Sequence, residues 1–258
     1  MPPSQNFGVD RKITIWIKAI LSRLFQLLGY EITKIPPARS LYRPLYSPWH
    51  SEDFARYYAI AAPRTLVSID RCFVLERLFR QTLPIAGDIF ECGVYKGGTA
   101  ALLAALLAEE KSDKKLFLFD TFAGMPATDP QRDWHKQGDF SDTSLESVQS
   151  FVGGGSRRIF RKGLIPETFA GLSDITISFC HIDLDIYKSI IDSVAFIWPR
   201  LSLGGAIVFD DYGFRTCMGA KEAVDDFFRS ENAVPLCLHT GQAIVFKGTL
   251  SSPAKGSS

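Results

Sequence analysis

Charge of one sign is what this chain most lacks: 29 Lys and Arg stand against 28 Asp and Glu, a net of +1. No global field therefore draws nucleic acid or an anionic membrane, and no basic stripe interleaved with aromatics appears. Long apolar runs are absent too. The stretch from Ile13 to Leu28 is broken by Lys18, Arg23 and Gln26, short of the roughly 20 apolar residues a membrane span needs. No small-residue cleavage site follows it at Gln26–Tyr30, which argues against a secretory signal. The five cysteines, Cys72, Cys92, Cys180, Cys217 and Cys237, are odd in number, widely spread and form no CxxC pair. Neither a zinc knuckle nor a disulfide framework is suggested, and a reducing cytoplasm fits. There is no internal repeat. What remains is an ordinary globular balance with a small molecule as the default partner.

Helical spacing of Ile13, Trp16, Ile17, Ile20, Leu21, Leu24, Leu27 and Leu28 predicts an amphipathic helix. It suits packing on its own domain or a dimer interface, with shallow membrane-surface attachment as the competing use. A Pro- and Tyr-rich connection, Ile35 to His50, follows. Two helices are expected next, Ser51 to about Ala61 with Ser51 as N-cap, and about Ser68 to Thr82. Residues 1–83 thus read as a helical extension or lid, 84–250 as an α/β domain, and 251–258 as a flexible tail.

From Gly87 onward, short apolar strands alternate with amphipathic helices, the signature of a parallel sheet with crossover helices. Strands are expected at Asp88–Val94, Lys115–Thr121, Arg158–Lys162, Ile175–Asp183 and Gly205–Asp210, with helices starting near Gly98, Ser144, Pro166, Tyr187 and Gly219. A closing antiparallel hairpin, Leu236–His239 and Ala243–Lys247, brings the count to seven strands. The fold class is α/β and Rossmann-like, with a mostly parallel sheet and helices on both faces.

The first strand runs into ECGVYKGGTA, where Gly93, Gly97 and Gly98 let the backbone turn sharply beside a ligand and present helix N–H donors. Val94-Tyr95-Lys96 separate the glycines, so this is not the dinucleotide GxGxxG, and NAD is disfavoured. Asp120 ends the second strand in LFDTFAGMP, placed to accept from two ribose hydroxyls, with Phe122 and Gly124 lining the adenosine side. A lone acidic residue there would more often cap a helix; its pairing with the glycine loop favours a nucleoside. Gly163-Leu164, after the third strand, falls where an adenine ring would lie. Glu91 lies on the first strand just before the glycine loop and could hold a cofactor's ammonium, or is an ordinary strand-end carboxylate.

Two acidic clusters end adjacent strands: HIDLDIYKS with Asp183 and Asp185, and IVFDDYG with Asp210 and Asp211. Carboxylates converging at one sheet edge repel one another unless a cation neutralises them. Oxygen donors without a histidine or cysteine pair select Mg²⁺, Mn²⁺ or Ca²⁺ over zinc. The expected ligands are Asp183, Asp210 and Asp211, with Asp185 weaker because the next helix is beginning there. Asp183 also faces the crevice as a proton acceptor. His135, in the polar loop Asp133–Lys136, could meet the acceptor or be a solvated loop residue, and His181 is a core histidine or a partner behind the ligands.

Taken in order, ECGVYKGGTA, LFDTFAGMP, GDFSDTSLESV, KGLIPETF, HIDLDIYKS and IVFDDYG resemble the macrocin O-methyltransferase (TylF-type) family from about Arg64 to Lys247. The resemblance implies a class I S-adenosylmethionine-dependent O-methyltransferase with Mg²⁺ on Asp183, Asp210 and Asp211. The cofactor positions that carry over are Glu91, Cys92, Gly93, Val94 and Tyr95, and Asp120, Thr121, Phe122 and Gly124; Gly98, Gly163, Leu164 and Asp183 are expected to join them by their place at the same edge. The resemblance places a substrate-contacting serine at Ser189. Where the family shows T-M-V this chain has Thr65-Leu66-Val67, a further cofactor contact. The expected acceptor is a small-molecule hydroxyl, on a sugar of a glycosylated natural product or glycan. A catechol or phenol is the alternative acceptor, and a noncatalytic S-adenosylmethionine-binding protein the alternative class.

Overall fold

The computed structural model describes residues 48–248 apart from Asn232, together with Leu21, Arg23, Phe25 and Leu27. Two compact units are present, Met1–Tyr46 and Ser47–Ser258. In the first, the four described positions are helical, in agreement with the spacing there. The rest of the Ile13–Leu28 helix, the Pro-rich segment up to residue 47 and the 251–258 tail lie outside the described residues.

In the second unit, a seven-stranded sheet is built from β1 (Asp88–Cys92), β2 (Leu116–Asp120), β3 (Arg158–Lys162), β4 (Ile177–Ile182), β5 (Leu201–Phe209), β6 (Leu236–Cys237) and β7 (Ala243–Phe246). The order is β3-β2-β1-β4-β5-β7-β6. β1 to β5 pair in parallel, whereas β7 runs antiparallel to β5 and β6 antiparallel to β7. Strands buried on both faces read as nearly continuous apolar runs, which is why LFLF in β2 and ISFC in β4 show no polar alternation.

The period of two still sorts their side chains. Ile89, Leu116, Leu118, Phe179 and Val208 join one core with α1 (Glu52–Ala61), α2 (Ile69–Thr82), α3 (Gly98–Glu109) and α4 (Leu145–Val152). Phe90, Cys92, Phe117, Phe119, Cys180 and Ile207 join the other with α5 (Tyr187–Arg200) and α6 (Met218–Phe228). Residues 47–83, read from sequence as part of an extension, belong to the same compact unit as the sheet, with Phe54, Leu75 and Phe79 inside its core. α3, GTAALLAALLAE, is buried along almost its whole length because it lies inside that layer; alanine and leucine are the residues that can do so and still favour a helix.

Two elements differ from expectation. The helix expected near Pro166 is only a 3₁₀ turn, Glu167–Phe169. Phe169 buries its ring against Phe119 and Phe196, with centroids at 4.9 and 4.3 Å, and Gly171 turns the chain at a φ of +80°, ending any helix after one turn. β5 begins at Leu201 rather than Gly205, because Leu201 already pairs with Ile177; the register then shifts, and pairing with β4 resumes at Ala206 opposite Phe179. No helix among the described residues is long and apolar enough to cross a membrane.

Candidate active site

The order of strands reverses between β1 and β4, and in such sheets ligands bind outside the carboxyl ends of the strands at that point. A cavity of about 530 Å³ opens there, within the range of small-molecule sites. Every sequence-predicted site residue lines it except Glu91, Cys92 and Phe122. Thr65 and Leu66 line it as well.

The glycine loop is shaped by Asp120. One carboxylate oxygen accepts the backbone amides of Val94 and Tyr95 at 2.7 and 2.8 Å, and the other accepts that of Phe122 at 2.6 Å. Asp120 thus ties the end of β2 to the turn after β1 while still facing the cavity. Thr143 and Asp142 fasten the long 121–143 loop to the same turn, through the Tyr95 carbonyl at 2.5 Å and the Tyr95 hydroxyl at 2.7 Å. At mid-loop, Asp133 accepts the amide of Tyr187 at 2.9 Å and so caps α5, while Arg132 lies over the Tyr187 ring at 4.0 Å. The loop is thereby anchored at its middle and at its far end, and it brings His135 and Phe140 to the cavity wall.

The exceptions have clear causes. Cys92 points into the opposite core, and Phe122 packs beside Phe160 in the first. Glu91, read as the partner of a cofactor ammonium, is fully buried behind the wall. Its register partner on β4 is His181, and its carboxylate meets His181 Nδ1 at 3.1 Å. His181 Nε2 in turn faces Asp210 at 3.6 Å. Burial opposes the charged imidazole, but the two carboxylates outweigh it and push His181 up to about 10.

Asp210 is itself enclosed by Arg71 of α2, by Gln242 Nε2 at 2.8 Å and by His181. Burial would raise its carboxyl; these partners hold it below the usual carboxylate range. Among the described residues, neither Asp183 nor Asp211 forms an ion pair. Burial, and then the charge of neighbouring carboxylates, raises both, and for Asp183 this outweighs His181 and Arg71 and takes it to about 8. Asp183 brings an oxygen within 4.8 Å of His181 and Asp210 in one grouping, and of Asp185 and Asp211 in another, so it links the two acidic segments. Ser189, one turn into α5, also faces the cavity. Sequence reasoning missed Arg71, Cys217 and Asp139, because each acquires its neighbours only through the fold.

These shifts fix a sign for stability. Carboxyls raised in the folded protein contribute stability that is complete below their unfolded value near 4 and lost as pH rises through the folded value. His181, raised from 6.5 to about 10, loses its contribution in the same direction. Without divalent cation, the thermal midpoint is therefore expected to fall steadily between pH 6 and pH 9 in calorimetric scans. A flat or rising profile would contradict the arrangement.

The model of the macrocin O-methyltransferase family (TylF) matches residues 62–239, most of the chain. The chain belongs to that family. It is 28% identical over 177 residues to the 8-demethyl-8-(2,3-dimethoxy-alpha-L-rhamnosyl)-tetracenomycin-C 4'-O-methyltransferase of Streptomyces olivaceus, covering 63% of this chain and 67% of that one. With the demethyldecarbamoylnovobiocin O-methyltransferase of Streptomyces niveus it shares 26% identity over 193 residues, covering 67% and 68%. Its fold is similar to that of the O-methyltransferase NovP, with a TM-score of 0.65 at 21% identity over 72% of this chain and 82% of that one. It is also similar to CalS11, a calicheamicin methyltransferase, at 0.59 and 18% over 85% of this chain and the whole of the other. As a macrocin-type O-methyltransferase, the protein is an S-adenosylmethionine-dependent enzyme that methylates an oxygen of a small molecule, as the sequence motifs implied.

Proposed function

We propose that this O-methyltransferase acts on a sugar hydroxyl of a glycosylated small molecule, with Mg²⁺ or Mn²⁺ held by Asp183, Asp210 and Asp211. The observation that carries this reading is the convergence of these three carboxylates on the cavity that the glycine loop also lines. The donor set fits a hard divalent cation: it is all oxygen, and Asp183 and Asp211 are raised by burial and by neighbouring carboxylates. Asp185 competes for the third place, since it lies within 4.8 Å of Asp183 and Asp211. Asp210, paired here with Arg71 and Gln242, would have to give up the Arg71 contact to hold the cation.

When bound, S-adenosylmethionine supplies an activated methyl group and the cation supplies positive charge for the developing oxyanion. The chain does the rest. Gly93, Val94 and Tyr95, held by Asp120, place the cofactor-facing backbone. Asp183 accepts the proton of the acceptor hydroxyl at its carboxylate, which faces the cavity where the acceptor would lie. His135 and Ser189 offer polar contacts to further hydroxyls of the acceptor, and Leu66 and Leu164 give apolar walls. Displacement at the methyl carbon then depends largely on positioning. The sugar is supported by the Streptomyces olivaceus relative, whose name specifies a rhamnosyl acceptor.

The test is titration calorimetry of S-adenosylmethionine and then Mg²⁺, on wild type and on Asp210→Ala/Asp211→Ala, followed by an acceptor screen of glycosides against catechols. The double variant is expected to keep cofactor binding and lose Mg²⁺ binding. Equal Mg²⁺ binding in both proteins would overturn the cation site, and turnover of catechols alone would overturn the sugar.

A further inference from the structure

Beside the acidic cluster stands a set of different chemistry. His135 from the 121–143 loop, Asp185 from the turn after β4 and Cys217 from the 3₁₀ turn that opens α6 meet at the cavity wall. Their atoms are closely spaced: Cys217 Sγ to Asp185 Oδ1 at 3.3 Å, His135 Nε2 to Asp185 Oδ1 at 3.7 Å, and Cys217 Sγ to His135 Nε2 at 3.9 Å. Tetrahedral zinc with its usual bond lengths of about 2.0–2.3 Å sets neighbouring ligand atoms about 3.4–3.6 Å apart. The three spacings depart from that by a few tenths of an ångström.

A second feature points the same way. His135 Nδ1 lies 3.3 Å from Asp139 Oδ2, and the Lys136 amide donates to that oxygen at 2.9 Å. A carboxylate on the far imidazole nitrogen is the usual support of a zinc-bound histidine, fixing its tautomer and its aim. Three protein ligands with a fourth position facing a cavity describe an open zinc site. The Cys217 thiol is directed at Asp185, and a metal would take the place of that proton, which leaves to solvent.

We propose that His135, Asp185 and Cys217 form a site for a thiolate-accepting divalent metal, Zn²⁺ above all, which adjoins the hard-cation site at Asp185 and differs from it in its sulfur and imidazole donors. Sulfur and imidazole donors favour zinc, whereas Mg²⁺ prefers oxygen alone. Because His135 belongs to the loop and its two partners to the turn after β4 and the turn before α6, bound Zn²⁺ pins the loop across the cavity and slows acceptor exchange. Zinc is thus an inhibitor of the enzyme rather than its activator.

The test uses the full chain with Mg²⁺ saturating, titrated with Co²⁺ and with Zn²⁺. Wild type is expected to bind one Co²⁺ with a thiolate-to-cobalt charge-transfer band, to release it to Zn²⁺, and to lose methyl transfer as Zn²⁺ binds. Cys217→Ser is expected to lose the band and, relative to its own rate, the zinc inhibition. Asp139→Asn is expected to weaken Zn²⁺ about 10- to 100-fold while keeping the band. Should Cys217→Ser fail to fold, His135→Gln serves in its place, read only by metal titration: it is expected to keep the band and to weaken Co²⁺ and Zn²⁺ binding at least as much as Asp139→Asn, and unchanged affinity overturns the proposal. A band that persists in Cys217→Ser, or cobalt bound without any such band, overturns the proposal. Carboxylates alone cannot produce the band, so this outcome is independent of whether Mg²⁺ binds at Asp183, Asp210 and Asp211.

Discussion

Asp183→Asn is expected to reduce methyl transfer about 10³-fold or more while leaving S-adenosylmethionine binding within a small factor of wild type. Two losses combine in one atom change. The variant removes the proposed proton acceptor, and general-base contributions alone are about 10²- to 10⁴-fold. It also removes the carboxylate that links the two acidic segments, being near both Asp210 and Asp211 with Asp185. The backbone should stay in place, because the Asp183 amide donates to the Cys92 carbonyl at 2.8 Å and continues the β1–β4 ladder. Single-turnover rates together with cofactor calorimetry separate the cases. A rate within a few-fold of wild type would remove Asp183 from the mechanism, and loss of cofactor binding would reassign it to the cofactor.

Gly93→Ala should be the most damaging single methyl group in the protein. Gly93 follows β1 with φ at +89°, a left-handed conformation that side chains rarely adopt. A Cβ there would also fall inside the carbonyl oxygen of Asp183. Both strands must part to admit it, and in parting they displace Asp183 and the turn through Tyr95 together. The expected result is loss of measurable S-adenosylmethionine binding and a lowered thermal midpoint. Gly138→Ala is the matched control: its φ is +90°, yet nothing lies within 4 Å of the added carbon. It should cost about 1 kcal/mol, the ordinary penalty for backbone strain, and keep the cofactor. Equal effects from the two substitutions would show that strain, and not the contact with Asp183, is responsible.

Much of this architecture was legible along the chain because it depends on local pattern. Strand β3 lies at Arg158–Lys162 as the apolar run suggested, and α3 and α5 begin at Gly98 and Tyr187. Carboxylates following apolar strands had to reach one edge of a parallel sheet, so Asp120, Asp183, Asp210 and Asp211 were found as neighbours of one cavity. The stretch after Pro166 was not legible in the same way. Its sequence permits a helix, but the burial of Phe169 and the turn at Gly171 allow one 3₁₀ turn only.

The order of motifs, the parallel sheet and the acidic edge were thus determined by the sequence itself, since each follows from a periodicity of two or 3.6 and from glycines where the chain must turn. The partner of each charged group was decided only by tertiary structure. Glu91 is a strand-end carboxylate in either reading, and register across β1 and β4 is what commits it to buried His181 and away from the cavity. Asp210 meets Arg71 across 139 positions of chain. Cys217 carries no signal as a lone cysteine, and it stands beside His135 because an anchored loop and a helix start are folded onto the same edge. Local propensity specifies an element from neighbours a few residues away, whereas an ion pair or a ligand set needs distances that only packing of the whole sheet supplies.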